Sequence, residues 1–177
     1  MVLLGACASQ SSIKPTEQLD ERSGITVASL PEPIEFVASK PTEIGKRASF
    51  AYLGPIEWNR MGDIQSGLWV HLAPGNNQQF ANIHDIAAVT LTLDDRAIVL
   101  APMEAPALGR EPYSPVVSWG QTAYFKFGAD DLKHWAASST STLQFRGPDG
   151  AAIEFQPSRE SRASLAAYLQ SRHISGD

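Results

Sequence analysis

Apolar and polar residues alternate along most of the chain from Gly24 onward, and this alternation limits the fold more than any other feature. Leu68, Val70 and Leu72 are separated by single residues, and the run 89–93 repeats the pattern. A period of two places every second side chain on the same face of a β-strand. The chain carries about eight to ten such runs, so it is expected to be mainly β.

Turn residues separate the alternating runs, and no strand–helix–strand rhythm is present. The pairs of runs around Asp94-Asp95 and around the segment 147–150 predict two hairpins. Short helices are predicted late in the chain, one capped by Asp130 and one from Ser158 to about Ser171. We therefore predict an antiparallel β-sandwich, either immunoglobulin-like or a partly closed barrel, with two short helices near the C-terminus.

Composition places the chain among globular proteins and argues against some partners. The 177 residues are 43% hydrophobic and 19% charged, which suits one domain with its own core. The net charge of −5 and the scattered Lys and Arg residues give no basic surface for nucleic acid. We expect no nucleic-acid partner.

A proline-rich segment, residues 101–115, interrupts the alternation and is called the proline loop below. It contains Pro102, Pro106, Pro112 and Pro115. Proline lacks a backbone donor, so this segment can form neither a helix nor a central strand. Two interpretations stay open, because a long ordered loop can carry a binding site or can simply cross between sheets.

The residue types that perform chemistry do not form a recognisable pattern in this sequence. His71, His84, His134 and His173 are never two or four residues apart, so no metal ligand spacing is present. No serine lies in a nucleophile motif, and the adjacent aspartates suit turns and a helix start better than acid–base catalysis. We expect no cofactor, no metal site and no enzymatic activity.

Aromatic residues on the central strands are the strongest candidates for partner binding. Trp69 and His71 lie on the strand face opposite the apolar run, and Trp58 belongs to the preceding strand. An exposed tryptophan beside Arg60 would suit a protein or a glycan, and the proline loop adds Tyr113. The alternative is that a helix or the proline loop covers Trp69 and creates a second small core.

The only cysteine, Cys7, follows Leu4-Gly5-Ala6. This sequence resembles the lipobox of bacterial lipoproteins, and the resemblance implies that Cys7 carries fatty acyl chains such as palmitate. Ala8, the residue after the cysteine, implies by the same resemblance the outer membrane, facing the periplasm. The segment 52–62 with Leu68-Trp69-Val70 is similar to envelope lipoproteins of proteobacteria.

The lipobox interpretation divides the chain into three parts. Residues 1–6 are expected to be a truncated signal peptide, and residues 7–23 the lipidated cysteine and a flexible, polar tether. Residues 24–177 are expected to form the single β domain.

The function expected from these parts is non-catalytic. The domain would bind or assemble with an envelope protein or a cell-wall glycan. Two alternatives remain: an enzyme that uses His71 or His84 with a carboxylate, and a purely structural component of the envelope.

Overall fold

The structure is a computed structural model that describes residues 14–40, 47–114, 117–159 and 161–172. Strands account for 45% of it and helices for 16%, which confirms the prediction of a mainly β fold. Cys7 and the rest of the lipobox lie outside the described residues, so the lipidation site stays a prediction.

In the described residues, eleven strands form one antiparallel sheet, and two α-helices pack against it and against each other. Two short 3-10 turns, Gln78–Phe80 and Ile83–Asp85, lie in the connection between the fifth and sixth strands. The elements are β1 Thr16–Asp20, β2 Ile25–Ser29, β3 Ile34–Ala38, β4 Phe50–Arg60, β5 Asp63–Ala73, β6 Ala88–Leu93, β7 Arg96–Val99, β8 Pro102–Met103, β9 Gln121–Lys126, α1 Ala129–Ala137, β10 Ser141–Arg146, β11 Ala152–Pro157 and α2 Arg162–Ser171.

The sheet curls into a half-barrel. Its main strand order is β7-β6-β10-β11-β3-β4-β5-β9-β8, with β2 also paired to β4 and β1 to β2. The end strands β7 and β8 are consecutive in the chain. Between them, the Leu100 N–H donates to the Val89 carbonyl (2.9 Å) and the Lys126 N–H donates to the Ala101 carbonyl (2.8 Å). One short run of chain thus pairs with both ends of the sheet, as in the partly closed barrel that we predicted.

The main core lies between the sheet and helix α1. Phe36 on β3 packs 6.4 Å from Trp135 of α1, measured between ring centroids, and Phe127 meets the same indole edge-on at 5.9 Å. Phe80 and Ile83, from the β5–β6 connection, join this core. Burial of such aromatic side chains contributes most of the favourable energy in a small core.

Both predicted hairpins are confirmed. Leu93 pairs with Arg96 across the Asp94-Asp95 turn, and β10 pairs with β11 across residues 147–151. Asp94 has a positive φ of 49°, and its carboxylate accepts hydrogen bonds from the backbone N–H groups of residues 139 and 140. The second predicted helix begins at Arg162, four residues later than Ser158.

The predicted tether extends too far into the domain. Residues 16–20 form β1, which pairs with β2 from Thr16 opposite Ser29 to Asp20 opposite Ile25. An edge strand of this kind is held by its backbone hydrogen bonds and needs no alternating apolar residues. Because the residues of β1 are polar and do not alternate, the sequence pattern did not predict a strand there. The folded part therefore begins by Thr16 rather than at Gly24.

Candidate functional site

Four of the five predicted partner-binding residues are buried. Trp58 is 2% exposed, Trp69 0%, His71 3% and Tyr113 3%, whereas Arg60 is exposed. The expectation that Trp69 and His71 face outward is therefore wrong, and the alternative is confirmed: the proline loop covers Trp69. The buried side chains form a second packed layer on the face of the sheet opposite Phe36, and we call Trp58, Trp69, His71, Tyr113 and Tyr124 the outer aromatic layer.

Tyr113 fastens the proline loop over this layer. Its ring centroid lies 5.2 Å from that of Trp69. Its hydroxyl accepts a hydrogen bond from the Leu30 N–H (3.0 Å) and donates one to the Pro55 carbonyl (2.7 Å). Gly54 makes room for the ring, since a Cβ there would lie 2.2 Å from the Tyr113 ring. Burial raises the pKa of Tyr113 well above its ordinary value, so the hydroxyl keeps its proton.

His71 is fixed in the same layer by two hydrogen bonds. Its Nε2 lies 3.0 Å from the Val117 carbonyl and its Nδ1 lies 3.0 Å from the Thr122 hydroxyl. A carbonyl can only accept, so Nε2 carries the proton and Nδ1 accepts from the threonine. Burial lowers the pKa of His71, which favours this neutral form. No carboxylate hydrogen-bonds to the ring among the described residues, so the pairing that the enzyme alternative needs is not found at His71.

His84 lies on the surface in the second 3-10 turn, beside Asp85. Asn82 accepts a hydrogen bond from the His84 backbone N–H (3.1 Å), and its amide donates to the Asp85 carboxylate (2.7 Å). These contacts stabilise the start of the turn. Within the described part of the chain, no group of three His, Cys, Asp or Glu residues is placed to hold a metal ion.

A surface groove of about 550 Å³ lies where β3 ends and β4 begins, beside the β5–β6 connection. Ala38, Phe80, Ala152 and Ile153 supply its apolar surface. We call it the amide groove, because side-chain amides are prominent among its polar residues. Those polar residues are Ser39, Lys40, Arg47, Ser49, Asn76, Asn77, Gln79, Gln144 and Glu154.

Hydrogen bonds hold several of these side chains in place. The Asn76 side-chain oxygen accepts from the Arg47 backbone N–H (2.6 Å), which leaves its NH2 group without a described partner. Asn77 donates to the Ser49 hydroxyl (2.9 Å), which donates in turn to the Pro74 carbonyl (2.8 Å). Gln79 is exposed and has no partner among the described residues. The groove therefore offers donors and acceptors that are partly preorganised.

Trp119 lies next to the groove. The Arg47 guanidinium lies 5.8 Å from the centroid of the Trp119 ring, within the range of a cation–π contact. Trp119 is 37% exposed, whereas the other three tryptophans are buried. Amides, a cation and an accessible aromatic ring together suit a ligand with hydroxyl groups and flat apolar faces.

Sequence reasoning missed this groove. Neither the run Asn76-Asn77-Gln78-Gln79 nor Trp119 is among the predicted partner-binding residues. Four consecutive amide side chains were the available signal, since turns favour Asn but have no special need for Gln.

A second cleft, of about 620 Å³, lies between the proline loop and the start of β3. Its charged residues are largely engaged with other groups. Arg159 pairs with Glu32 (3.0 Å), and Glu111 accepts a hydrogen bond from the Tyr124 hydroxyl. The amide groove lies beside the accessible indole of Trp119, which does not line the second cleft, so the groove is the better candidate site.

Comparison with known proteins gives no further guide, since no family model, curated protein or solved structure matches the chain. None of the described helices is long and apolar enough to span a membrane. The function must therefore be inferred from the residues and their geometry.

Proposed function

We propose that this protein is a lipoprotein of the bacterial envelope, anchored by lipid on Cys7 to the periplasmic face of the outer membrane. The support is the lipobox-like sequence together with the position of β1. Cys7 precedes Thr16 by nine residues, which span at most about 30 Å when extended. The domain would be held close to the membrane, and two or three acyl chains would anchor it stably.

We further propose that the domain acts by binding a cell-wall glycan in the amide groove, without catalysis. The observation that carries this proposal is the accessible Trp119–Arg47 pair beside side-chain amides such as those of Asn76 and Gln79. A sugar ring presents an apolar face that stacks on an indole and hydroxyls that pair with amides. Lys40 and Arg47 outnumber Glu154 in the groove, which favours a neutral or weakly acidic glycan.

The anchor is tested by replacing Cys7 with serine in a chain expressed behind a functional lipoprotein leader. We expect the unsubstituted protein to incorporate labelled palmitate and to sediment with the outer membrane. The Cys7→Ser protein should take up no label and appear in the periplasmic fraction. Label retained by the Cys7→Ser variant would rule out Cys7 as the lipidation site.

The groove is tested by co-sedimentation with purified peptidoglycan. We expect Trp119→Ala to weaken binding at least about tenfold, because an accessible tryptophan contributes much of the energy at such sites. Gln79→Ala should weaken it less, and Gln156→Ala, an exposed glutamine outside the groove, is the matched control. The glycan proposal fails if the unsubstituted protein does not co-sediment or if Trp119→Ala binds equally well.

A further inference from the structure

Three large apolar side chains are exposed at one end of the sheet. Met61 is 99% exposed, Leu19 58% and Ile64 57%. The other large apolar residues of the described part that are exposed are Val99 on β7, at 70%, and Trp119 beside the amide groove, at 37%. Exposed apolar residues that share one end of a domain are a sign of an interaction surface.

The strand register places two of these residues in one row. Leu19 is opposite Thr26, Thr26 is opposite Asn59, and Asn59 is opposite Ile64. Residues that are directly opposite in neighbouring strands project from the same face of a sheet. The row crosses four strands and is about 14 Å wide, given a spacing of about 4.8 Å between strands.

Met61 stands next to this row, in the two-residue turn between β4 and β5. Met61 and Gly62 both have positive φ, 53° and 94°, as in a type I′ turn. That turn favours Asn, Asp or Gly, so methionine is locally unfavourable there. Neither the turn nor the core therefore accounts for a fully exposed methionine, and a contact outside the domain would account for it.

Charged residues surround the apolar side chains at this end. Arg22 and Arg60 are exposed, in the turn after β1 and at the end of β4, and so are Glu21 and Asp63. Arg60 is the one predicted partner-binding residue that stays accessible. The mixed charges suit a surface that carries both phosphate and ammonium groups. We call Leu19, Arg22, Arg60, Met61 and Ile64 the sheet tip.

We propose that the sheet tip rests on the surface of the lipid bilayer, with its apolar side chains among the headgroups and its arginines on phosphates. This inference rests on the proposed lipid anchor. β1 is the strand that the tether enters, and Leu19 lies three residues after Thr16. A tether of at most about 30 Å lets the tip reach the membrane. The row from Leu19 to Ile64 is wide, so it fits a flat surface such as a bilayer. Burial of its apolar side chains would contribute a modest free energy, which is enough to orient a domain that is already anchored.

The test places a polarity-sensitive fluorophore on Met61→Cys in the full, lipidated chain. The thiol of Cys7 is then acylated, so only the new thiol reacts. In vesicles made mainly of phosphatidylethanolamine, we expect a blue-shifted emission that quenchers on lipid chains reduce. Val99→Cys, exposed on β7, is the matched control and should keep the emission of a probe in water.

Vesicle flotation separates failure of this inference from failure of the anchor. Protein that does not float lacks the anchor, which overturns the proposed localisation and this inference with it. Protein that floats while its label at Met61→Cys emits as in water has its anchor and overturns the sheet-tip inference alone. A shift that occurs without vesicles and grows with protein concentration would show contact with a second copy and would also overturn it.

Discussion

Replacing Tyr113 with phenylalanine is expected to destabilise the protein by about 2–4 kcal/mol, because it leaves two buried polar groups unpaired. The Leu30 N–H loses its acceptor and the Pro55 carbonyl loses its donor. The ring that packs over Gly54 and against Trp69 is kept, so this change isolates the contribution of the hydroxyl. Tyr113→Ala should cost more, about 3–5 kcal/mol, because it also leaves a cavity in the outer aromatic layer.

Urea unfolding, followed by tryptophan fluorescence and circular dichroism, measures these changes in the free energy of unfolding. Tyr124→Phe is the matched control. It removes a hydroxyl from the same layer, but the partner there is an exposed Glu111 carboxylate that water can solvate. Equal losses for Tyr113→Phe and Tyr124→Phe would contradict the view that Tyr113 fastens the proline loop.

The role of Tyr113 also explains which parts of the fold could be predicted from the sequence. Alternation and turn residues are local signals, and they correctly predicted a mainly β barrel-like domain and the hairpins at Asp94-Asp95 and at residues 147–150. The packing of the proline loop over Trp69, in contrast, cannot be predicted from the residues near Trp69 in the sequence. Tyr113 and Pro55 are 58 residues apart, and no sequence pattern near either residue predicts their hydrogen bond.

The same limit applied to the alternation within β5. Leu68, Val70 and Leu72 correctly mark a buried face, but Trp69 and His71 are buried as well, because the proline loop supplies a second layer. The run 68–73 contains no Asp, Glu, Lys or Arg, which was the available hint of burial on both faces. Alternation alone shows that the two faces of a strand differ in composition. It does not show that either face is exposed to solvent.

The candidate site was hidden for a related reason. Its residues come from β3, the start of β4, the β5–β6 connection and the β10–β11 hairpin. Only the barrel topology, which places β11 beside β3, brings these segments together. Both faces of the β4–β5 hairpin are covered along most of its length, so the two proposed binding surfaces, the amide groove and the sheet tip, lie at the periphery.

Arg172, directly after α2, neutralises Glu57, a buried carboxylate on β4. This pair gives the second large effect that we expect. Arg172 donates through Nε to Glu57 (3.1 Å) and also contacts Glu57 and Glu17 through its terminal nitrogens. The Glu57 side chain is 7% exposed and the Arg172 side chain 11%, so water cannot replace either partner well. Arg172→Met should therefore destabilise the protein by about 3–5 kcal/mol, since it leaves a buried charge unpaired.

A double-mutant cycle tests whether that loss reflects the pair or the packing of α2. Adding Glu57→Gln to Arg172→Met removes the unpaired carboxylate charge. We therefore expect the double variant to recover a large part of the lost free energy of unfolding, as measured by urea unfolding. Arg159→Met is the control, because its partner Glu32 lies on an exposed surface and such pairs contribute about 0–1 kcal/mol. If the double variant is no more stable than Arg172→Met, the loss comes from packing. In that case Glu57 does not depend on Arg172 for compensation of its charge.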